Sequence, residues 1–318
     1  MVYQNLASFV ANDIDIIEKK CKVRQLKYTG KRKLPKLGSS MTRSNFVYCW
    51  FVMGHATSSV MLSKTLRKKS IVVAGGWDVI YLPEIDYGAM NNPKRIDRTK
   101  YALKNADRVL AVSESTKQEV LQWVDRDLDV VYNGVDTEKF VPKGEKRDLV
   151  VTVAAIDNLV RYKKKGIETF LDAAAQMPDV DFVAIGENAP EWDAKMQEKA
   201  PKNATITGRI TGEQLLSYYQ EAKVYAQISY HESFGVALAE GMSCGCVPVA
   251  TDRFALPEVV GDTGFYSDYG DVEGTVEAIN KALESKDGDK CRQRVIDNFR
   301  MEIREKNLHQ IIAETLNG

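Results

Sequence analysis

The stretch "KVYAQISYHESFGVALAEG" (223–241) holds two patterns in succession. "KVYAQIS" is a short apolar and aromatic run that reads as a buried strand. "VALAEG" opens a helical pattern, and Gly235 sits where strand gives way to helix. A strand that passes through a glycine turn into a helix is the repeating unit of a doubly wound parallel sheet. Glycine at that turn lets a ligand come close to the backbone. The first free N–H groups of the helix point outward with partial positive charge, which suits phosphate. Glu232 precedes the turn and Glu240 follows it eight positions later, one to two turns into the helix. Glu240 is placed to meet ribose hydroxyls, and Glu232 whatever hangs from the far side of the phosphate. The spacing can grip a nucleotide diphosphate. Two glutamates flanking a helix start are also an ordinary solvated pattern, so spacing alone leaves both readings open.

The same alternation extends in both directions. "FVYCWFVM" (46–53) reads as a strand, "TSSVMLSKTLRKK" (57–69) as a helix, and "SIVVAGG" (70–76) as a strand ending in a glycine turn. "RIDRTKYALKNA" (95–106) is helical, "RVLAVS" (108–113) is a strand, and "ESTKQEVLQWV" (114–124) is a helix capped by Ser113. "DVVYNGV" (129–135) is a strand. The polar segment 136–148, with Pro142 and Gly144, reads as a linker. Beyond it come strands at 149–156, 181–187, 204–210 and 247–251, with helices at 166–177 and 211–222. The second helix opens on a capping box, Thr211 with Gln214. The tail from about Cys291 reads as one long helix. The fold class is therefore α/β, with two Rossmann-like doubly wound domains at 1–143 and 144–300. The helix at about 300–318 is expected to pack back on the first domain. Ligands are expected in a central cleft faced by the carboxyl ends of the two sheets.

Composition narrows the classes. Of 318 residues, 44% are hydrophobic, enough for two cores, yet no run of eighteen apolar residues exists. The first twenty residues lack a basic region followed by an apolar one, so no secretory signal is expected. Five scattered cysteines do not make a disulfide framework, which fits a reducing cytoplasm. Net charge is zero but uneven: residues 1–148 hold 26 Lys and Arg against 17 Asp and Glu, an excess of +9. That excess includes Lys19, Lys20, Lys22, Arg24, Lys27, Lys31, Arg32, Lys33 and Lys36. It reads either as a solvated face or as contact with an anionic surface, a membrane leaflet or a phosphate-bearing acceptor. Peripheral attachment at the inner membrane face follows from the second reading. Nucleic acid is not expected, because neither zinc-finger spacing nor a basic-aromatic RNA-binding signature is present. No metal site is expected either. "CGC" (244–246) lacks a second ligand pair, and "DVD" (179–181) and "DGD" (287–289) fall at a strand start and in a polar turn.

Several motifs together carry a resemblance. "YHESFGVALAEGMSCGCVPVATDRFALPEVV" (230–260) is similar to the retaining glycosyltransferases of family four, whose mark is two glutamates with seven residues between. "VRYKKKGIETFLDAA", "VAIGE", "ITGRITGEQLLSYYQEA", "ADRVLAVSESTKQEVLQ" and "VVYNGVDTEKFVP" occur in the order that family shows them. The resemblance covers about 46–318. It implies a GT-B fold with a shortened N-terminal domain on the acceptor side. It also implies a nucleotide-diphosphate sugar donor, UDP or GDP foremost, held mostly by the second domain. Transfer would retain the anomeric configuration, without metal or resident cofactor. The acceptor would be a glycan, a lipid-linked molecule or a small molecule. The family's KG motif falls on Lys165–Gly166, so Lys165, with Arg161, would bind the donor diphosphate. Glu232 would face the donor sugar and the reacting centre. Phe234, Gly235 and Val236 would present backbone to phosphates and sugar, Glu240 would hold the ribose, and Gly208 to Ile210 would flank the base. As an alternative, "RYKKKG" is a solvated basic turn.

Two departures stand out. Relatives place a histidine at the end of a first-domain strand, where this chain has Gly75 in "VAGGWD". His55 and Asp78 are the nearby polar residues, one read as a cap or packing residue and the other as a turn aspartate. The chain also starts at what reads as the glycine-rich loop or first helix of relatives, with the first strand missing or a stub. These departures favour one rival, a catalytically impaired nucleotide-sugar or glycan-binding protein; a second rival, a nucleotide-sugar epimerase of similar shape, is disfavoured by the ordered motifs. His231 beside Glu232 reads as a site neighbour or a surface residue.

Overall fold

The computed structural model describes residues 1–318 except the side chain of Lys31, so that member of the basic excess lies outside the described residues. The chain divides into two compact units, Met1–Gly134 with Met301–Gly318, and Val135–Arg300.

In the first unit the elements are β1 (Val2–Tyr3), α1 (Ser8–Glu18), β2 (Leu26–Lys27), α2 (Leu34–Thr42), β3 (Phe46–Trp50) and α3 (Gly54–Thr65). Then come β4 (Lys69–Ala74), α4 (Pro93–Asn105), β5 (Arg108–Ala111), α5 (Glu114–Leu121) and β6 (Asp129–Val130). The strands pair in parallel in the order β2-β1-β3-β4-β5-β6. Alternate residues of β3 and β4 enter opposite cores: Val47, Cys49 and Val72 on one face, Tyr48, Trp50, Ile71 and Val73 on the other. Burial on both faces explains why these strands read as unbroken apolar runs. Ser113 caps α5 by accepting from the Thr116 amide.

The second unit contains β7 (Arg147–Val153), α6 (Leu159–Lys164), α7 (Ile167–Gln176), β8 (Asp181–Ile185), α8 (Pro190–Lys199), β9 (Ala204–Ile206), α9 (Gly212–Glu221) and β10 (Ala222–Gln227). It continues through α10 (Val236–Ser243), β11 (Val247–Thr251), α11 (Leu256–Val260), β12 (Phe265–Ser267), α12 (Val272–Glu284) and α13 (Gly288–Phe299). Its parallel strands order as β12-β11-β10-β7-β8-β9, so successive connections run outward in opposite directions from β7 and β10. The capping box at Thr211 is formed in full.

Local readings of the sequence change in several places. Strand β1 is present as a two-residue stub paired with both β2 and β3. Strand β3 stops at Trp50 because Phe51 takes a left-handed backbone, φ 67°. The run expected as a strand at 204–210 pairs only through Ile206; Gly208, at φ 66°, turns the chain. The first two residues of β7 come from the segment expected as linker. The tail forms two helices, α13 and α14 (Met301–Asn317). They break at Arg300, which is extended (ψ 151°) and bridges Val135.

Helix α14 belongs to the first unit, where Leu308, Ile311 and Ile312 join the core face of Tyr48 and Val73. A buried ion pair fixes it. Arg304 Nε and Nη2 donate to the Asp13 carboxylate at 2.6 and 2.8 Å, and Arg304 Nη1 donates to the carbonyls of Val131 and Tyr132. The Tyr48 hydroxyl and the Trp50 indole N–H also donate to Asp13. Both carboxylate oxygens are thereby satisfied, which a buried charge requires.

Candidate functional site

Strands β7 and β10 are neighbours whose connections diverge, and the crevice outside their carboxyl ends is where such sheets bind ligands. The corner between α6 and α7 follows β7, and the segment 228–235 follows β10. Gly166 joins them. Its φ is 63°, and a Cβ there would lie 2.1 Å from the Ile228 carbonyl oxygen, so only glycine lets the two chains touch. The Tyr230 amide donates to the Lys164 carbonyl at 2.7 Å across this contact.

That contact assembles a charge cluster. Lys165 Nζ lies 2.7 Å from Glu232 Oε1, and Lys164 Nζ lies 3.5 Å from the same oxygen. The three side chains are only 21%, 10% and 12% exposed for Lys165, Lys164 and Glu232. Burial would raise the Glu232 pKa, but the ammonium groups of Lys164 and Lys165 outweigh it and hold the carboxyl at about 2. Behind the carboxylate, Gln227 Nε2 donates to Ser229 Oγ at 2.7 Å and to Glu232 Oε1 at 3.4 Å. Tyr225 OH donates to Gln227 Oε1 and Thr251 Oγ1 to the Ser229 carbonyl. These bonds orient the loop end of β10.

Helix α10 starts beside this cluster in sequence. Gly235 is its N-cap residue, in the left-handed region at φ 93°. The Phe234 ring is buried edge-on against Phe299, centroids 5.2 Å apart, so only its backbone is available at the turn. Val236 is the first helical residue, and its N–H is among those a helix leaves without an internal partner. One turn on, Glu240 Oε2 accepts from the Tyr219 hydroxyl at 3.3 Å, and burial pushes its pKa up to about 7.

The remaining sequence-selected residues lie as follows. Arg161 is on the exposed side of α6, paired with Asp157 at 3.2 Å, and is not among the groups at Glu232. The corner at Gly166 turns Lys164 inward in its place, a residue the sequence reading did not select. Gly208 accepts from the Gly186 amide at 3.2 Å, which sets the 208–210 turn beside the end of β8, with Ile210 half-buried. His231 is fully buried against the Phe254 ring, at 4.3 Å between centroids, and so is not a surface residue.

In the first unit, His55 is buried, its Nε2 bonds to the Trp50 carbonyl oxygen at 2.7 Å, and burial lowers its pKa to about 4. It packs as a neutral residue. Asp78 is fully buried, beyond what an ordinary turn aspartate shows. It accepts from the Val52 and Gly75 amides, and burial still pushes its pKa up to about 7. At Gly75 a Cβ would meet the Phe51 ring at 2.4 Å, so that ring occupies the place a side chain at 75 would need. Among the described residues, no three His, Cys, Asp or Glu side chains converge as a metal site would require, and no helix is long and apolar enough to cross a membrane.

Comparison with known proteins adds to this geometry. The family model described as glycosyl transferases group 1 matches residues 136–301, and that of glycosyltransferase family 4 matches residues 52–139. The chain is 22% identical over 284 residues to the N-acetyl-alpha-D-glucosaminyl L-malate synthase of Bacillus anthracis, covering 81% of this chain and 71% of that protein. It is 30% identical over 214 residues to O-antigen chain mannosyltransferase B of Escherichia coli, covering 59% of this chain and 56% of that one. The solved structure of Anabaena Alr3699/HepE in complex with UDP superposes with a TM-score of 0.83 at 15% identity, covering 98% of this chain and 99% of that one. At that identity the likeness shows the fold, a two-domain α/β architecture of the GT-B type. With a family model spanning more than half its length and the ordered motifs around Lys165 and Glu232, this chain belongs to the glycosyl transferases group 1 family.

Proposed function

We propose that the chain is a retaining, metal-independent glycosyltransferase that moves a sugar from a nucleotide-diphosphate donor to a hydroxyl acceptor. The observation that carries this is the cluster of Lys164, Lys165 and Glu232 at the divergence of β7 and β10, followed at once by the left-handed glycine that opens α10. The unit Val135–Arg300 is read as the donor-binding half and the other unit as the acceptor half. The donor is a UDP or GDP sugar. The UDP complex of the structural neighbour supports a uridine donor, as a property of that protein.

In this reading the donor diphosphate takes Lys165 from Glu232, while Lys164 stays with the carboxylate. As the bond from the sugar C1 to the diphosphate oxygen breaks, its electron pair leaves on the diphosphate. The Lys165 ammonium and the first N–H groups of α10 stabilise that charge. The acceptor oxygen bonds to C1 on the face the diphosphate leaves, which retains configuration, and its hydroxyl proton passes to the departing diphosphate oxygen. Glu232 faces the sugar hydroxyls and the reacting centre. Phe234, Gly235 and Val236 offer backbone to phosphate and sugar, Glu240 accepts from the ribose, and the 208–210 turn borders the base. Arg161 is exposed and paired elsewhere, so we give the diphosphate to Lys165, with Lys164 left to hold Glu232. The acceptor is a glycan, a lipid-linked molecule or a small molecule, and the basic N-terminal half is suited to an anionic surface.

A second reading, a binding protein with impaired catalysis, is favoured by Gly75 beneath the Phe51 ring where relatives carry a histidine. One experiment separates the two. Wild type and Lys165→Ala are incubated with UDP and GDP sugars, with and without candidate acceptors, and nucleotide release is followed. Acceptor-stimulated release by the wild type, lost in the variant, supports transfer. Nucleotide-sugar binding without release under any condition supports the binding protein.

A further inference from the structure

The first unit holds a cavity at the end of its sheet opposite the carboxyl ends of the strands. Its walls include Arg24, just before β2, and Phe46, the first residue of β3. Strands β1, β2 and β3 are parallel, so this is their common amino end. At about 3.3 Å per residue, the four steps from Phe46 to Trp50 put it about 13 Å from the carboxyl end of β3. It is therefore separate from any ligand seated at the carboxyl ends.

The volume is about 460 Å³. Lys20, Lys22, Arg24 and Arg43 line it, and no aspartate or glutamate does. Among the described residues, none of these four side chains is ion-paired. The neighbouring Lys19 is paired, with Glu305 of α14. Four like charges around one cavity repel one another, and a multiply charged anion relieves that repulsion while accepting charge-assisted hydrogen bonds. Apolar side chains share the lining, among them Phe46 and Leu316, the latter 40% exposed. A lining that combines four cations with apolar side chains matches a ligand with a charged head and an apolar body.

We propose that this cavity binds a phosphate ester carrying an apolar body, at a site distinct from the donor site. Four of the cations in the basic half then share a role, lining a recess suited to one anion. Free phosphate esters and the head groups of a phospholipid surface share this chemistry.

Two arms distinguish these sources. In one, inorganic pyrophosphate is titrated calorimetrically. In the other, vesicles of phosphatidylcholine and phosphatidic acid in equal amounts are compared with phosphatidylcholine alone in a sedimentation assay. Both use the full chain carrying Lys165→Ala, so that pyrophosphate at the donor lysine does not contribute and the outcome does not depend on the donor reading. Binding in either arm is expected, and the arm that binds identifies the source. The double substitution Arg24→Gln/Arg43→Gln should weaken it about 25-fold, at about fivefold per surface charge. Arg24→Lys/Arg43→Lys should keep it within about threefold, because the charge is retained. The side chains are exposed, so neither pair disturbs the core. Binding of neither probe, or Gln variants that bind as tightly as the arginines, would overturn the proposal. Equal loss in the Gln and Lys pairs would do so as well.

Discussion

At the scale of single residues, two carboxylates in one segment are driven in opposite directions. Glu232 is ionised by two lysines, whereas Glu240 is raised to about 7 by burial, which outweighs the Tyr219 hydroxyl and the charge of Lys139. A carboxyl whose folded pKa is raised favours the folded state below its unfolded value and loses that contribution as pH rises through the folded pKa. For Glu240 the window is from 4.5, its ordinary value, to about 7. Glu240→Gln, which keeps the neutral shape, should match the wild type in urea unfolding near the bottom of that window and exceed it by about 2–3 kcal/mol above pH 7. A difference that does not change with pH would show that Glu240 is not held neutral. The sequence put Glu232 and Glu240 forward through their spacing around a glycine turn together with the family resemblance, and Lys165 through the KG motif of that resemblance alone. It did not single out Lys164 from three consecutive lysines. Which of them turns inward depends on the left-handed corner at Gly166, and no periodicity encodes that.

At the scale of elements, close approach and buried charge decide the joints. Gly166→Ala should destabilise the second unit by about 2–4 kcal/mol, since the new methyl would strike the Ile228 carbonyl at 2.1 Å and the backbone would be strained. It should also weaken nucleotide binding, because the Lys165–Glu232 contact depends on that corner. Nucleotide affinity unchanged in a folded variant would contradict this. Helix α14 is tied down by the Asp13–Arg304 pair. Arg304→Leu, which leaves Asp13 buried with one cation fewer, should cost about 3–5 kcal/mol in urea unfolding. Replacing both partners with apolar residues should recover much of the loss. A double variant no more stable than Arg304→Leu would show that packing, rather than the stranded charge, sets the cost. Caps were readable because they are local: Ser113 and Thr211 announce α5 and α9. The break at Arg300 was not readable. Both flanks have helical periodicity, and the interruption is fixed by pairing with Val135, far away in sequence.

At the scale of the whole molecule, alternation of apolar runs and amphipathic stretches foretold doubly wound sheets, since strands buried on both faces need helices on both. Strand order was beyond reach of that pattern: it pairs Val150 of β7 with Val224 of β10, distant in sequence, and this neighbouring creates the lysine–glutamate cluster. The account rests on that cluster as a diphosphate site. Calorimetric titration of UDP and GDP into the wild type, Lys165→Ala and Arg161→Ala tests it most directly. One nucleotide should bind the wild type, Arg161→Ala should bind it within about twofold, and Lys165→Ala should lose tenfold or more, about 1.4 kcal/mol. Equal affinity in the wild type and Lys165→Ala would contradict the account.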